Sequence, residues 1–475
     1  MRKLLLTLLI TATGVAAMAQ DISGTWQGTA DVGGQKLKAV FHITKENGQF
    51  KVSFDSPDQG GFGIKCDGLT MLADSVHIKM SVIGGGYNGK WNGGNEIAGA
   101  ISQSGRDFIL PLQRVAEEKN AASKPKPQTP QPPFGYTSEE VSYENTLQNV
   151  HLAGTLTKPS KGTKFPVVLL ITGSGAQDRD ESIGMHKPFA LIADYLTKQG
   201  IAVLRVDDRG VGGSTGNFRA SSSADFATDV IAGINYLKTR NDIDAAKIGL
   251  LGHSEGGLIA PYVAARNKNV AFIVTLAGPV TGGQKLNDFQ NTLPMTRAGM
   301  SKETIDAFLL LHHTLTNAAV SIADEADYKN AVQRIFIDWK QKQSPEIVKR
   351  LINGADADVI PKLQSDYATF RNAWWKFVFS YDPVPDLEKL TIPVLALNGE
   401  KDEQVEAKTN LAAFNEALKK SKSKNYRTIE VAGVNHLFQH CKECGSIKEY
   451  LALEETFDAP TLAIISDWIK TVTQP

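Results

Sequence analysis

At 475 residues the chain is too long for one ordinary domain and suggests two or three. Apolar residues make up 42% and charged residues 21%, the proportions of a folded globular protein. Lys+Arg and Asp+Glu balance at 51 each, which leaves no basic surface for nucleic acid and no charge run for a membrane face.

Arg2-Lys3 precede an apolar run from Leu4 to Ile10, and Ala17-Met18-Ala19 offers a small-x-small cleavage site. Residues 1–19 therefore read as a secretory signal peptide, and the expected address is exported, periplasmic or secreted. The run is too short to span a bilayer, and no other approaches about 20 apolar residues. From 21 to 115, Gly33-Gly34, Asn47-Gly48, Gly60-Gly61 and Gly84-Gly85-Gly86 punctuate β-rich runs such as Ala39–Ile43, Phe50–Phe54 and Ser75–Met80. Period-2 alternation around Phe41 and Ile43 predicts a small antiparallel β-barrel or sandwich. Residues 116–135 carry Pro125, Pro127, Pro130, Pro132 and Pro133 and read as an extended, semi-rigid linker.

Residues 136–475 change to alternating strands and helices. Phe165–Ile171 and Ile201–Val206 are buried-strand runs separated by a helix over Pro188–Gln199. Ile248–Leu251, Ala271–Leu276, Pro393–Asn398 and Arg427–Val431 continue the rhythm. That pattern predicts an α/β domain with a doubly wound, mostly parallel sheet. The rhythm breaks over about 283–390, where helical runs (Lys302–Leu315, Asp327–Trp339, Pro345–Leu351) predict a helical cap.

Three loops carry the candidate chemistry. Gly252-His-Ser254-Glu-Gly256 lies between a strand and a helix, the setting of a nucleophile elbow, where the flanking positions must be small. Asp402 follows the strand Pro393–Asn398 and His436 follows Arg427–Val431, so both loops gather at the same sheet edge as Ser254. Glu400 and Glu403 are rival carboxylates. His436, His440, Cys441 and Cys444 also have the residue types and spacing of a zinc site, but in an exported chain Cys441 and Cys444 read rather as a local disulfide or buried thiols. No metal or cofactor is expected. Asp207-Asp208-Arg209 reads as a structural ion-pair turn beside the site.

The order Ser…Asp…His on loops that follow strands resembles the α/β-hydrolase fold. Thr172–Asp180, Asp207–Ser214 and Gly252–Gly257 are similar to stretches of bacterial carboxylesterases related to prolyl-oligopeptidase-type hydrolases, and the N-terminal β-domain resembles modules fused to such esterases. The resemblance implies Ser254 as nucleophile, His436 as general acid–base and Asp402 as its orienting carboxylate. It implies the backbone N–H groups of Glu255 and Ser174 as oxyanion donors. Trp374 and Trp375 are candidate walls of the substrate pocket. The implied partner is a small-molecule ester, an acylated glycan among the candidates. A peptidase or amidase on the same triad, and a glycan-binding protein with a vestigial hydrolase domain, are the alternative readings.

Overall fold

A computed structural model describes residues 21–474 apart from 33–34, 47, 60, 81–83, 104–105, 116–124 and 446. The signal-peptide stretch and the first half of the expected linker lie outside the described residues. The chain divides into two compact units, Met1–Ala122 and Ser123–Pro475.

The N-terminal unit is a ten-stranded antiparallel sheet. Its long strands Gly24–Val32, Gln35–Glu46 and Gln49–Ser56 pair in sequence, as short Gly-containing turns require. The sheet curls toward closure. Cys66 N–H donates to Val52 O near one edge while Asp67 N–H donates to Lys79 O near the other. The alternation expected around Phe41 now has a cause, because Phe41 and Ile43 point into a core with Trp26, Phe54, Tyr87 and Trp91. The Tyr87 hydroxyl is buried there and satisfied by the carbonyls of Ile97 and Leu110.

In the second unit eight strands form one sheet, in the order Tyr136–Asn145, Val150–Pro159, Ala202–Val206, Phe165–Ile171, Ile243–His253, Phe272–Leu276, Val394–Gly399 and Tyr426–Val431. The first two strands are antiparallel to each other, and Val150–Pro159 is antiparallel to Ala202–Val206. Every later neighbour pair is parallel. The parallel strands are apolar on both sides because both faces are covered. One face packs against helices Ser223–Thr239, Glu255–Ala264 and Ala407–Lys420, the other against Pro188–Lys198 and Ala459–Thr473. This strand order, with its antiparallel entry and the crossover between the strands at 165 and 202, is the α/β-hydrolase fold.

Between Phe272–Leu276 and Val394–Gly399 the described residues form helices without a strand: Gly283–Arg297, Lys302–Ser321, Glu325–Lys342, Pro345–Leu351, Asp356–Ala368, Ala373–Ser380 and Val384–Lys389. They enclose a core of their own around Leu315, Tyr328, Val332, Phe336 and Trp339. Two helices outrun the sequence expectation. Glu325–Lys342 starts earlier because Asp324 caps it, accepting from Asp327 N–H, and Lys302–Ser321 runs on because Ala318 and Ala319 still face the core.

Residues 125–135 do not float as a spacer. Lys126 Nζ donates to the carbonyls of Leu451 and Leu453 at 2.8 and 2.6 Å, and Gln128 bonds both ways with Thr456 and Phe457. The proline-rich stretch is strapped to the C-terminal end of the second unit.

Candidate active site

The strand Ile243–His253 turns into the helix Glu255–Ala264 through one residue, Ser254, at φ 51° and ψ −116°. An L-residue rarely occupies that region, and the surrounding contacts must hold it there. The small flanking positions are obligatory. A Cβ on Gly252 would lie 2.0 Å from the carbonyl oxygen of Gly256, and one on Gly256 would lie 2.1 Å from that of Ile171. Ser254 N–H donates to Leu276 O, which ties the turn to the neighbouring strand. The helix behind it directs unpaired N–H groups and its positive dipole end at the space above the serine.

Asp402 and His436 meet. His436 Nδ1 lies 2.8 Å from Asp402 Oδ2, and both side chains are almost wholly buried. Asp402 is fixed by three further donors: Oδ1 accepts from the N–H groups of Gln404 and Val405, and Oδ2 accepts from Asn398 Nδ2, which itself also reaches Val405 O. The rival carboxylates have other partners. Glu400 accepts from Gly433 N–H, and Glu403 forms a two-pronged pair with Arg297. The His436 loop is itself pinned, since Asn435 Oδ1 accepts from Leu437 and Gln439 N–H and Phe438 stacks on Phe457.

The link from this pair to Ser254 runs through the residue before the serine. His253 Nε2 lies 3.0 Å from the backbone carbonyl of His436, and the two rings stand 4.8 Å apart. With Nδ1 donating to Asp402, His436 keeps Nε2 as its free acceptor.

Ser254 opens into a cavity of about 520 Å³. Ser174 and Glu255 line it, with Leu258, Leu286, Pro294, Trp374, Trp375 and Val378 as apolar walls. Ser174 follows Gly173, whose N–H is already committed to Glu181 Oε1 at 2.6 Å. Trp374 and Trp375 sit on the cap helix Ala373–Ser380, packed edge to face at 4.6 Å. Trp374 Nε1 donates to Glu255 Oε1 at 2.7 Å, and Ser223 Oγ donates to the same oxygen. Burial pushes the Glu255 carboxyl above the ordinary range, against the opposing pull of those two donors.

The turn Asp207-Asp208-Arg209 is a structural ion-pair turn, as its sequence suggests, with its partners drawn from outside the turn. Each side chain looks elsewhere: Asp207 pairs with Arg179, Arg209 with Asp229, and Asp208 accepts from Thr172 Oγ1 and Gln177 N–H. The reason is topological, because the turn sits against the loop 172–187 and the helix Ser223–Thr239, which supply those partners. Burial alone would raise Asp207, but Arg179 and the N–H groups of Gly213 and Arg179 outweigh it and hold the carboxyl low. Asp208 has no such cation among the described residues, and burial drives it well above the usual carboxylate range, reinforced by Glu255 and Glu181.

Cys441 and Cys444 are joined as a disulfide, which removes both thiolates from the zinc-like set, and His436 is turned to Asp402. His440 faces Glu455 and Asp458 instead, their ligand-type atoms within 4.8 Å of one another. Two functional-looking residues escaped the sequence reading. His253 is hidden at the variable position of Gly-x-Ser-x-Gly, and Glu181 lies in the charged run Asp178–Glu181, where nothing in the sequence distinguishes the one that turns inward.

Esterase EstD of Thermotoga maritima is 27% identical over 216 residues, covering 46% of this chain and 51% of that protein. A triacylglycerol lipase of Pseudarthrobacter phenanthrenivorans is 28% identical over 173 residues, covering 34% of this chain and 48% of that one. The chain thus spans about half the length of the curated relatives it matches. A solved esterase from Pyrococcus furiosus aligns over 72% of this chain and 93% of its own, at 14% identity and a TM-score of 0.42. The sequence profile of the X-Pro dipeptidyl-peptidase (S15) family matches residues 148–441, more than half of the chain and the whole span from the sheet's second strand to the His436 loop, and the protein belongs to that family.

Proposed function

We propose that the protein is a serine hydrolase of carboxylic esters, working through an acyl-enzyme on Ser254, His436 and Asp402. The observation that carries this reading is the elbow: a serine held at φ 51° on the floor of an apolar cavity, one residue from a histidine bonded to the His436 loop. His436 Nε2 takes the Ser254 proton as Oγ attacks the ester carbonyl carbon. The carbonyl oxygen becomes an oxyanion facing the backbone N–H groups of Glu255 and Ser174. As the intermediate collapses, the acyl C–O bond breaks and His436 gives its proton to the departing alkoxide. A water then loses a proton to His436 and attacks the acyl carbon. Ser254 leaves with that proton, and the free acid is released.

The cavity argues for the class of acid. Its walls are mostly hydrocarbon and aromatic, and its Glu403 is neutralised by Arg297, so an uncharged apolar or aromatic acyl group fits without stranding a charge. The esterase and lipase relatives support ester cleavage. The family's name favours a second reading, release of X-Pro dipeptides from a peptide N-terminus. That substrate carries an ammonium group and needs a carboxylate to receive it. The two carboxyls lining the cavity are engaged, Glu255 by Ser223 and Trp374 and Glu403 by Arg297. Parallel assays on a p-nitrophenyl ester series and an X-Pro-p-nitroanilide separate the readings. Ester turnover that disappears in Ser254→Ala supports the first, and faster anilide cleavage would replace it with the second. We also read the protein as exported, which processing after Ala19 during expression in a Gram-negative host would test.

A further inference from the structure

We propose that His253 is held as an imidazolium by Glu181, and that this charged pair positions the three loops that carry the reaction. The positioning half rests on the serine-hydrolase reading; the protonation half does not.

The argument begins with donors and acceptors. His253 Nε2 faces the carbonyl oxygen of His436 at 3.0 Å, and a carbonyl only accepts, so Nε2 carries a proton. His253 Nδ1 faces Glu181 Oε1 at 2.9 Å. That same oxygen accepts from Gly173 N–H at 2.6 Å, a length suited to an ionised acceptor. With Glu181 a carboxylate, Nδ1 must also donate. Both ring nitrogens then bear hydrogen, and the ring is a cation.

The surroundings agree. Burial opposes the charge on His253, yet the adjacent Glu181 carboxylate outweighs it and pushes the imidazole above its ordinary range. The groups facing the ring are Glu181 from the loop after Ile171, and Asp402 and His436 from the two loops at the far side of the serine. Glu181 is aimed inward at a cost. Its backbone sits at φ 51°, and the turn is locked by Asp178, whose carbonyl accepts from Glu181 N–H and whose carboxylate accepts from Asp180 and Ser182 N–H. Strain of this kind persists only where neighbours impose it.

One pair therefore joins three loops. Glu181 holds Gly173, beside Ser174; His253 directly precedes Ser254; and its other nitrogen holds the carbonyl of His436.

The test uses the full chain with 15N-labelled histidine, read by long-range proton–nitrogen NMR without substrate. His253 is assigned with His253→Gln. The expected result at about pH 8 is two protonated ring nitrogens for His253 in the wild type and one in Glu181→Gln. A bare nitrogen on wild-type His253 at that pH, with the proton on Glu181 or absent, would overturn the proposal. In kinetics on a p-nitrophenyl ester, Glu181→Gln is expected to lower kcat about 10- to 100-fold with KM within about two-fold. An unchanged kcat would refute the positioning role. A wild type inactive on all esters would instead refute the ester reading, and the NMR result would still decide the charge on His253.

Discussion

In the N-terminal unit the interior is aromatic and aliphatic, and Ser56 is the single buried polar residue among those described. The C-terminal unit buries Glu181, Asp207, Arg209, His253, Glu255, Asp402 and His436, on loops, a strand end and a helix start at one edge of the sheet. A buried ionisable group is expensive unless it is paired or neutralised, so a fold keeps a cluster of them where chemistry requires it. The contrast assigns different physics to the two units. One is held by packing, the other sacrifices packing at one rim to hold charges in fixed geometry.

The largest effect that would break this contrast is at the serine. Ser254→Ala is expected to lower kcat on a short-chain p-nitrophenyl ester by about 10⁴-fold or more, with a melting temperature within a few degrees of wild type. Retention of most of the turnover would move the reaction elsewhere. The second test falls on the packed unit. Phe41 lies 5.0 Å from Phe54 and 5.4 Å from Tyr87, ring centre to centre, and is fully buried. Phe41→Ala is expected to cost the N-terminal unit about 3–5 kcal/mol, seen in urea denaturation followed by proteolysis of that unit. Ester hydrolysis below the transition should stay within about two-fold. A comparable fall in kcat with the second unit intact would make the β unit part of the site.

What could be read from sequence follows the same division. Apolar period and glycine turns announced the antiparallel unit, because packing writes itself into every second residue from Ala39 to Ile43. The elbow announced itself through Gly252 and Gly256, since no larger residue clears the backbone there. The partners of buried charges were another matter. Arg209 stands next to Asp207 and Asp208 in the chain but bonds Asp229, while Asp207 bonds Arg179. Glu181 looked like any solvated acid in a charged run. Such pairings depend on which loops the sheet brings together, and local pattern does not encode that. The Pro125–Pro133 stretch misled for a related reason: its composition is that of a spacer, and its docking rests on two side chains, Lys126 and Gln128.

The next test concerns the place where cap and charged rim meet. Trp374→Phe keeps most of the ring in the cavity wall but deletes the Nε1 donor to Glu255. Glu255 is left with Ser223, and the variant is expected to lose about 1–3 kcal/mol of stability. KM for aryl esters should rise several-fold while kcat changes less. Equal stability would mean that water replaces the indole.

The smallest effect separates two neighbours, Asp207 and Asp208. Asp207 is held low by Arg179, so its contribution to stability is present above the ordinary carboxylate range and lost as pH falls through the depressed value. Asp208 runs the other way. Its carboxyl is raised, so it favours folding below the unfolded carboxylate range, and that contribution is lost as pH climbs through the raised value. Asparagine cannot ionise, and the Thr172 hydroxyl can turn to accept from its amide. Asp208→Asn is therefore expected to be near neutral at about pH 4 and stabilising by about 1 kcal/mol or more at about pH 8, a gain of a few degrees in Tm. Arg179→Met should show the opposite slope, with its largest loss at neutral pH, where it strands the Asp207 carboxylate. If Asp208→Asn destabilised equally at both values, the carboxyl would be a charged anchor for the Thr172 loop, and the rim would hold one more fixed anion than its cations balance.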